Sequence, residues 1–256
     1  MDSVPARRTT LVWDLPTRLS HWLMASTLIG AFALAFVTKK SGDVFPVHML
    51  LGAIATLLVL LRVVWGFAGS TYARFRSFVY GPRAITRYFR GLVSRSSERW
   101  VGHNPGSSAA IFGMLGLLLA TGVTGALAAT APSWVRELHP ILAYVLVGVA
   151  AAHILGVLLH TFSHRENIIL SMVDGRKAPN VDSPPIRSTH PVVALAFLAI
   201  VGAFGTLAIS SYDASSRSLV IPVVHAKLLL QPPRKARPPA RSEGATTTIP
   251  TGPRAP

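Results

Sequence analysis

LHPILAYVLVGVAAAHILGVLLHTF, residues 138–162, is a nearly unbroken apolar run that carries His139 and His153 inside it, with His160 at its end. A helix of that length crosses a bilayer core of about 30 Å. Fourteen residues at about 100° each come to four turns less roughly 40°, so both imidazoles leave the same side of the helix, about 21 Å apart along its axis. Ionisable side chains within a membrane segment are rare and call for a functional partner.

The composition agrees with a membrane setting. Half of the 256 residues are hydrophobic, 14% are charged and the mean hydropathy is +0.46. These values suit a small all-α bundle of spanning helices better than a soluble domain. The formal charge of +15 would suggest nucleic acid in a soluble protein, but basic loops beside apolar spans are the ordinary signature of membrane orientation, and no nucleic-acid partner is expected. The sequence holds no cysteine. Disulfides, thioether-attached haem, thiolate-ligated haem and cysteine-bound iron–sulfur clusters are thereby excluded, and a metal centre must rest on histidine, carboxylate or methionine.

Working outward, four more apolar runs complete a set of five spans: residues 22–37, 47–67, 109–129 and 191–209 flank the run at 138–162. Residues 1–20 form a polar lead with Arg7, Arg8 and Arg18. A signal peptide is the competing reading, since a basic pair precedes an apolar run, but the lead is long for one and holds Asp14 and Pro16. Between spans two and three, Ile85, Tyr88, Phe89 and Leu92 recur at helical spacing behind Pro82, opposite Arg83, Arg87 and Arg90. That pattern predicts a short helix lying on the membrane surface. Span three carries Gly113, Gly116, Gly122 and Gly125, which permit close helix approach. The domain reading is a cytoplasmic segment at 1–20, a four-helix membrane domain at 21–178, a linker with the fifth helix at 179–209, and a basic, proline-rich tail at 210–256 expected to be largely disordered.

Orientation follows from basic residues. The N-terminus and the loops 69–108 and 160–189 together hold fourteen Lys and Arg, against Lys39, Lys40 and Arg136 on the other side. The N-terminus is expected in the cytoplasm. The tail, with seven basic residues, then lies outside, which is tolerated because distal segments translocate largely regardless of charge. All five tryptophans, Trp13, Trp22, Trp65, Trp100 and Trp134, fall near predicted interfaces.

With that orientation the histidines pair by depth. His21 begins span one at the inner surface, and His48 begins span two at the outer one. His139 is level with His48, and His153 approaches the level of His21. Two bis-imidazole sites, one near each surface, suit two haems placed to move electrons across a bilayer. Small residues stand beside the ligands, as a porphyrin lying against a helix requires: Ala25, Gly52 and Ala143 four residues after a ligand, and Gly156 three after His153. Arg18 and Arg136 each precede a ligand by three residues and could pair with haem propionates, with Arg62 a further inner candidate. His160, seven residues after His153 on the same face, is an alternative inner ligand. His103, His164, His190 and His225 read as loop or boundary residues. Histidines serving as hydrogen-bond partners or proton relays in a haem-free anchor or transporter are the competing reading.

WDLPTRLSHW around His21, VHMLLG around His48, GHNPGS before span three, the run 138–161 and RENIILSMVDGRK after it occur in an order that resembles the bacterial cytochrome b561 family, which includes the cytochrome b subunits of nickel–iron hydrogenases. The resemblance covers roughly residues 11–178. It implies a four-helix core with two b haems ligated from helices one, two and four, matching His21, His48, His139 and His153. It also implies electron exchange between the quinone pool and a partner in the cytoplasmic membrane of a bacterium. That partner is a hydrogenase, a c-type cytochrome or, in one branch, superoxide. Such a protein is a subunit of a respiratory chain or oxidoreductase complex more than a self-sufficient enzyme. Gly102 and Asn104 match a turn that lines a quinone pocket in related cytochromes, though the same turn could cap span three. Where the family often has an acidic residue after the outer ligand of helix four, this chain has Pro140, which suits a first helical turn and places the helix start close to His139.

Overall fold

The computed structural model describes residues 9–37, 44–94, 100, 102–128, 130–164, 167–177, 184–213, 218–221 and 226–229. Arg7, Arg8, Lys39, Lys40, His225 and most of the basic tail lie outside them. The elements in chain order are β1 (Thr10–Leu11), α1 (Leu15–Val37), α2 (Phe45–Ala68), α3 (Pro82–Val93), α4 (Pro105–Leu127), α5 (Ser133–His164), α6 (Ile168–Asp174), β2 (Arg176–Lys177), α7 (Pro191–Ser210), β3 (Tyr212–Asp213), β4 (Ser218–Ile221) and β5 (Ala226–Leu229). Five of the helices, α1, α2, α4, α5 and α7, are long and apolar enough to cross a membrane. The protein is an all-α integral membrane bundle of four helices with a fifth added.

Two helix starts differ from expectation, each for a local reason. α1 begins at Leu15 rather than near residue 22, because Asp14 caps it: its carboxylate accepts from the Thr17 backbone N–H at 2.8 Å, and Pro16 occupies the first turn. Part of the segment 1–20 is therefore helix and strand. α5 begins at Ser133, so Pro140 sits inside the helix instead of at its start. Proline cannot donate to the carbonyl four residues back, that of Arg136. Arg136 is exposed, where solvent can take up the orphaned carbonyl.

α1 packs along α2, α4 along α5, and α2 against α4, while α7 lies on α1 and α2. Between α5 and either α1 or α2 there is at most grazing backbone contact. The four helices meet mid-bundle in a layer of Ala55, Val59, Leu118 and Leu146, with Met24 and Leu28 of α1 packed against it. Lipid tails are as apolar as leucine, so such packing rests on fit and close approach. Gly122 supplies one such approach, since a Cβ there would collide with Thr56 of α2. Away from this layer the spans show large apolar side chains outward, among them Phe67 and Val192, each about three-quarters exposed.

The amino-terminal end of the bundle is closed by short elements. β1 pairs antiparallel with β2, Thr10 opposite Lys177. Gly175, at φ +82°, ends α6 in a left-handed cap, and a Cβ there would lie 2.7 Å from the Trp13 carbonyl. α3 forms where the sequence predicts it, with Arg83, Arg87 and Arg90 exposed and Tyr88 against Gly106 of α4. At the far end β3, β4 and β5 make an antiparallel sheet. All three strands fall within the stretch 210–256 expected to be disordered. SLVI, with its two β-branched residues, favours a strand over a proline-rich coil.

Candidate functional site

α5 carries both central histidines toward the space it leaves beside α1 and α2. At the far end the imidazoles of His48 and His139 stand 6.2 Å apart between centroids, with planes at 86°. Each is fixed through Nδ1. His48 Nδ1 lies 2.8 Å from the Ala31 carbonyl of α1. His139 Nδ1 lies 2.9 Å from the Thr121 carbonyl of α4 and 3.4 Å from the Thr124 hydroxyl. A carbonyl can only accept, so both rings carry their proton on Nδ1 and their lone pair on Nε2, the tautomer that a backbone carbonyl selects in a metal-binding histidine. Gly125 faces the His139 ring and lets it sit there: a Cβ would approach Cε1 to 2.9 Å.

At the amino-terminal end, His21 and His153 lie within electrostatic reach of each other, from α1 and α5. His160, two turns further along α5, is the more deeply buried of the two, His153 being half-buried, so the inner level offers two imidazoles from α5.

These features fit haem. Two ring nitrogens at about 2 Å from one metal put imidazole centroids roughly 6 Å apart, which matches the far-end pair. Among the described residues no group of three or more His, Asp or Glu side chains converges, and a porphyrin brings four nitrogens of its own and needs only two. Small residues border open space beside the histidines: a Cβ at Gly52, four residues after His48, or at Gly156, three after His153, would meet nothing within 4 Å. Haem carboxylates need cationic donors, and two arginines at the amino-terminal end each keep a buried nitrogen without a hydrogen-bond partner. Arg62 gives Nη2 to the Ala73 carbonyl at 3.2 Å, while its buried Nη1 has no hydrogen-bond partner. Arg18 donates Nη2 to the Val173 carbonyl and keeps a buried, unpartnered Nε. Arg136 is exposed at the far end.

Several residues the sequence reading set aside belong to this region. His103, read as a loop histidine, has its ring between Trp13 at 4.6 Å and Phe78 at 4.3 Å, and its buried Nδ1 has no hydrogen-bond partner. Burial pushes its pKa well below the ordinary 6.5, helped by the positive charge of Arg62, Lys177, His153 and His21. Asp14 is fully buried, and both its oxygens accept from the Trp65 indole N–H at 3.1 Å. The signal for Asp14 was present in the sequence as an Asp followed by Pro at a helix start. His103 stands in the GHNPGS turn, but nothing in that turn marks its partners, because Trp13 and Phe78 reach it from distant parts of the chain. Asn104 caps α4, accepting from the Ser107 N–H at 2.7 Å, which is the capping role of the GHNPGS turn. His190 stands at the start of α7 with φ 52° and its ring 5.2 Å from Trp65.

Comparison with known proteins agrees with this geometry. The model of the prokaryotic cytochrome b561 family matches residues 12–175, which hold all four paired histidines. A probable Ni/Fe-hydrogenase B-type cytochrome subunit of Rhizobium leguminosarum is 23% identical over 216 residues, covering 67% of this chain and 90% of the relative. The protein of the same description from Bradyrhizobium diazoefficiens is 22% identical, covering 67% and 87%. A probable Ni/Fe-hydrogenase 1 B-type cytochrome subunit of Escherichia coli is 29% identical over 124 residues, 40% of this chain and 52% of the relative. No solved structure matches. A b-type cytochrome carries haem b, and the residues around the two histidine levels suit it. The chain belongs to the prokaryotic cytochrome b561 family.

Proposed function

We propose that the protein is a di-haem b-type cytochrome of the bacterial cytoplasmic membrane that passes electrons between the quinone pool and a redox partner. In this reading His48 and His139 hold one haem, His21 and His153 the other, and the N-terminus faces the cytoplasm. The observation that carries it is the far-end pair: two imidazoles from separate helices, 6.2 Å apart, each with Nδ1 spent on a backbone carbonyl. Held by His48 and His139 at one level and by His21 and His153 at the other, haem b would supply a one-electron couple at each, suited to outer-sphere transfer rather than oxygen activation.

The chain's own residues do the rest. The carbonyls of Ala31 and Thr121 hold the imidazoles in one tautomer. Arg62 and Arg18 offer donors for carboxylates at the inner level, and Arg136 offers one at the outer. The layer around Leu146 fills the middle of the bundle with apolar side chains between the two levels. The names of the relatives favour a Ni/Fe hydrogenase as the partner over a c-type cytochrome.

The test is anaerobic mixing of the purified protein, reconstituted in liposomes, with a quinol. Reduction of the b-type α band by the quinol, followed by its reoxidation on adding the partner, supports the proposal. A band that dithionite reduces and quinol does not would refute the quinone link. Consumption of superoxide without any partner would favour a self-sufficient superoxide oxidase.

A further inference from the structure

α7 lies beyond the family match, which ends at residue 175, yet it touches both histidine levels. At the amino-terminal end Phe197 and Val193 pack with Trp65, Leu19 and Leu61, and Trp65 holds the Asp14 carboxylate that caps α1. From there to His21 the connection runs through an indole, a carboxylate and nearly two turns of helix. At the far end the path is much shorter. Ala208 of α7, fully buried, packs against Phe45, Met49 and Leu50 of α2. The Phe45 ring lies on the His48 imidazole, 5.7 Å between centroids and only 20° from parallel.

We infer that Phe45 is a positioning residue for the His48 imidazole, and that α7 holds Phe45 against that ring through Ala208. The hydrogen bond from Nδ1 to the Ala31 carbonyl fixes one point of the imidazole but leaves rotation about the line through that bond. A stacked aromatic face removes that rotation, because tilting the imidazole drives its edge into the phenyl ring. Together the two contacts leave one orientation, with the His48 plane at 86° to that of His139. The fifth helix thus sets the angle between the two axial ligands of the outer haem. The angle between axial imidazole planes governs the g anisotropy of a low-spin ferric haem, so the effect is readable without assaying turnover.

The inference rests on the di-haem reading, and the experiment separates the two. In the oxidised, full-length protein, the outer haem is identified as the low-spin electron paramagnetic resonance signal missing from His139→Ala. If no signal disappears there, the di-haem reading fails. With the signal identified, Phe45→Leu, which keeps the apolar bulk and removes the flat face, is expected to shift its g values toward those of less perpendicular planes. Ala208→Leu, which crowds Phe45 from α7, is expected to shift them as well. The inner signal stays put in both, and Phe45→Tyr keeps the wild-type values. Unchanged g values in Phe45→Leu, or equal shifts in both haems, would overturn the inference.

Discussion

Replacing Gly125 by alanine should release the outer haem while leaving the bundle assembled. A Cβ at this position would stand 2.9 Å from Cε1 and 3.1 Å from Nδ1 of His139. Carbon contacts are comfortable at about 3.5–4.0 Å, so the imidazole must withdraw by roughly half an ångström or more. It cannot do so freely, because Nδ1 is held at 2.9 Å by the Thr121 carbonyl and at 3.4 Å by the Thr124 hydroxyl. Overpacking of this kind costs about 1–3 kcal/mol. The clash falls on a side chain rather than on backbone, and alanine is the better helix former, so α4 and α5 still pack. The cost therefore appears in ligation. At 1.4 kcal/mol per tenfold, outer-haem affinity should fall roughly 5- to 150-fold, with the inner haem unaffected. Haem transfer from the purified variant to a scavenging globin, followed by spectrum, measures this directly. Loss of the outer haem at the wild-type rate, or equal loss of both haems, would refute the assignment of His139 to that site.

Asp14→Ala removes a cap worth about 1 kcal/mol and strands a buried indole N–H at a further cost of about 1–3 kcal/mol, so thermal stability should drop by about 3 kcal/mol, while Asp14→Asn, which keeps an acceptor, loses much less. Thermal melts of the two variants side by side check the difference. At His103 the unfolded chain takes up a proton as pH falls below about 6.5 while the folded ring, with its lowered pKa, does not. Stability should therefore be level above that pH and decline below it. His103→Phe should flatten that slope in melts between about pH 5 and pH 8, and an unaltered slope would show that another group sets it. Arg62→Gln removes a buried positive charge and should lower the midpoint potential of the inner haem alone, by more than Arg18→Gln, whose arginine is only partly buried and better screened by solvent. A spectroelectrochemical titration resolving the two haems distinguishes these outcomes.

Much of this was legible in the sequence because spanning helices announce themselves by length and apolarity, and because a histidine has little reason to sit in such a run. The five spans, the surface helix at Pro82–Val93 and the meeting of His48 with His139 follow from those facts alone. What was not legible depends on contacts across the chain. Pro140 looked like a helix start because its missing N–H is tolerated there, yet α5 runs past it from Ser133, at the cost of one exposed carbonyl. Arg18 was read for its spacing from His21, but the end of α6 supplies a carbonyl that takes one of its nitrogens. His103 carries no periodic signal. It is drawn in by Trp13, some ninety residues earlier, and by Phe78 from the loop before α3. The stacking of Phe45 on His48, three residues apart near the start of a helix, lies within reach of helical spacing. The part played by Ala208 does not.

The central claim is that two haems are held by pairs of imidazoles, and counting haem per polypeptide in single histidine variants tests it most directly. The wild type should hold two b haems. His48→Ala and His139→Ala should each lose one and the same haem, while His21→Ala and His153→Ala should each lose the other, with His160→Ala keeping both. A colourless wild-type protein, or a His153→Ala variant that retains two haems while His160→Ala loses one, would contradict the assignment.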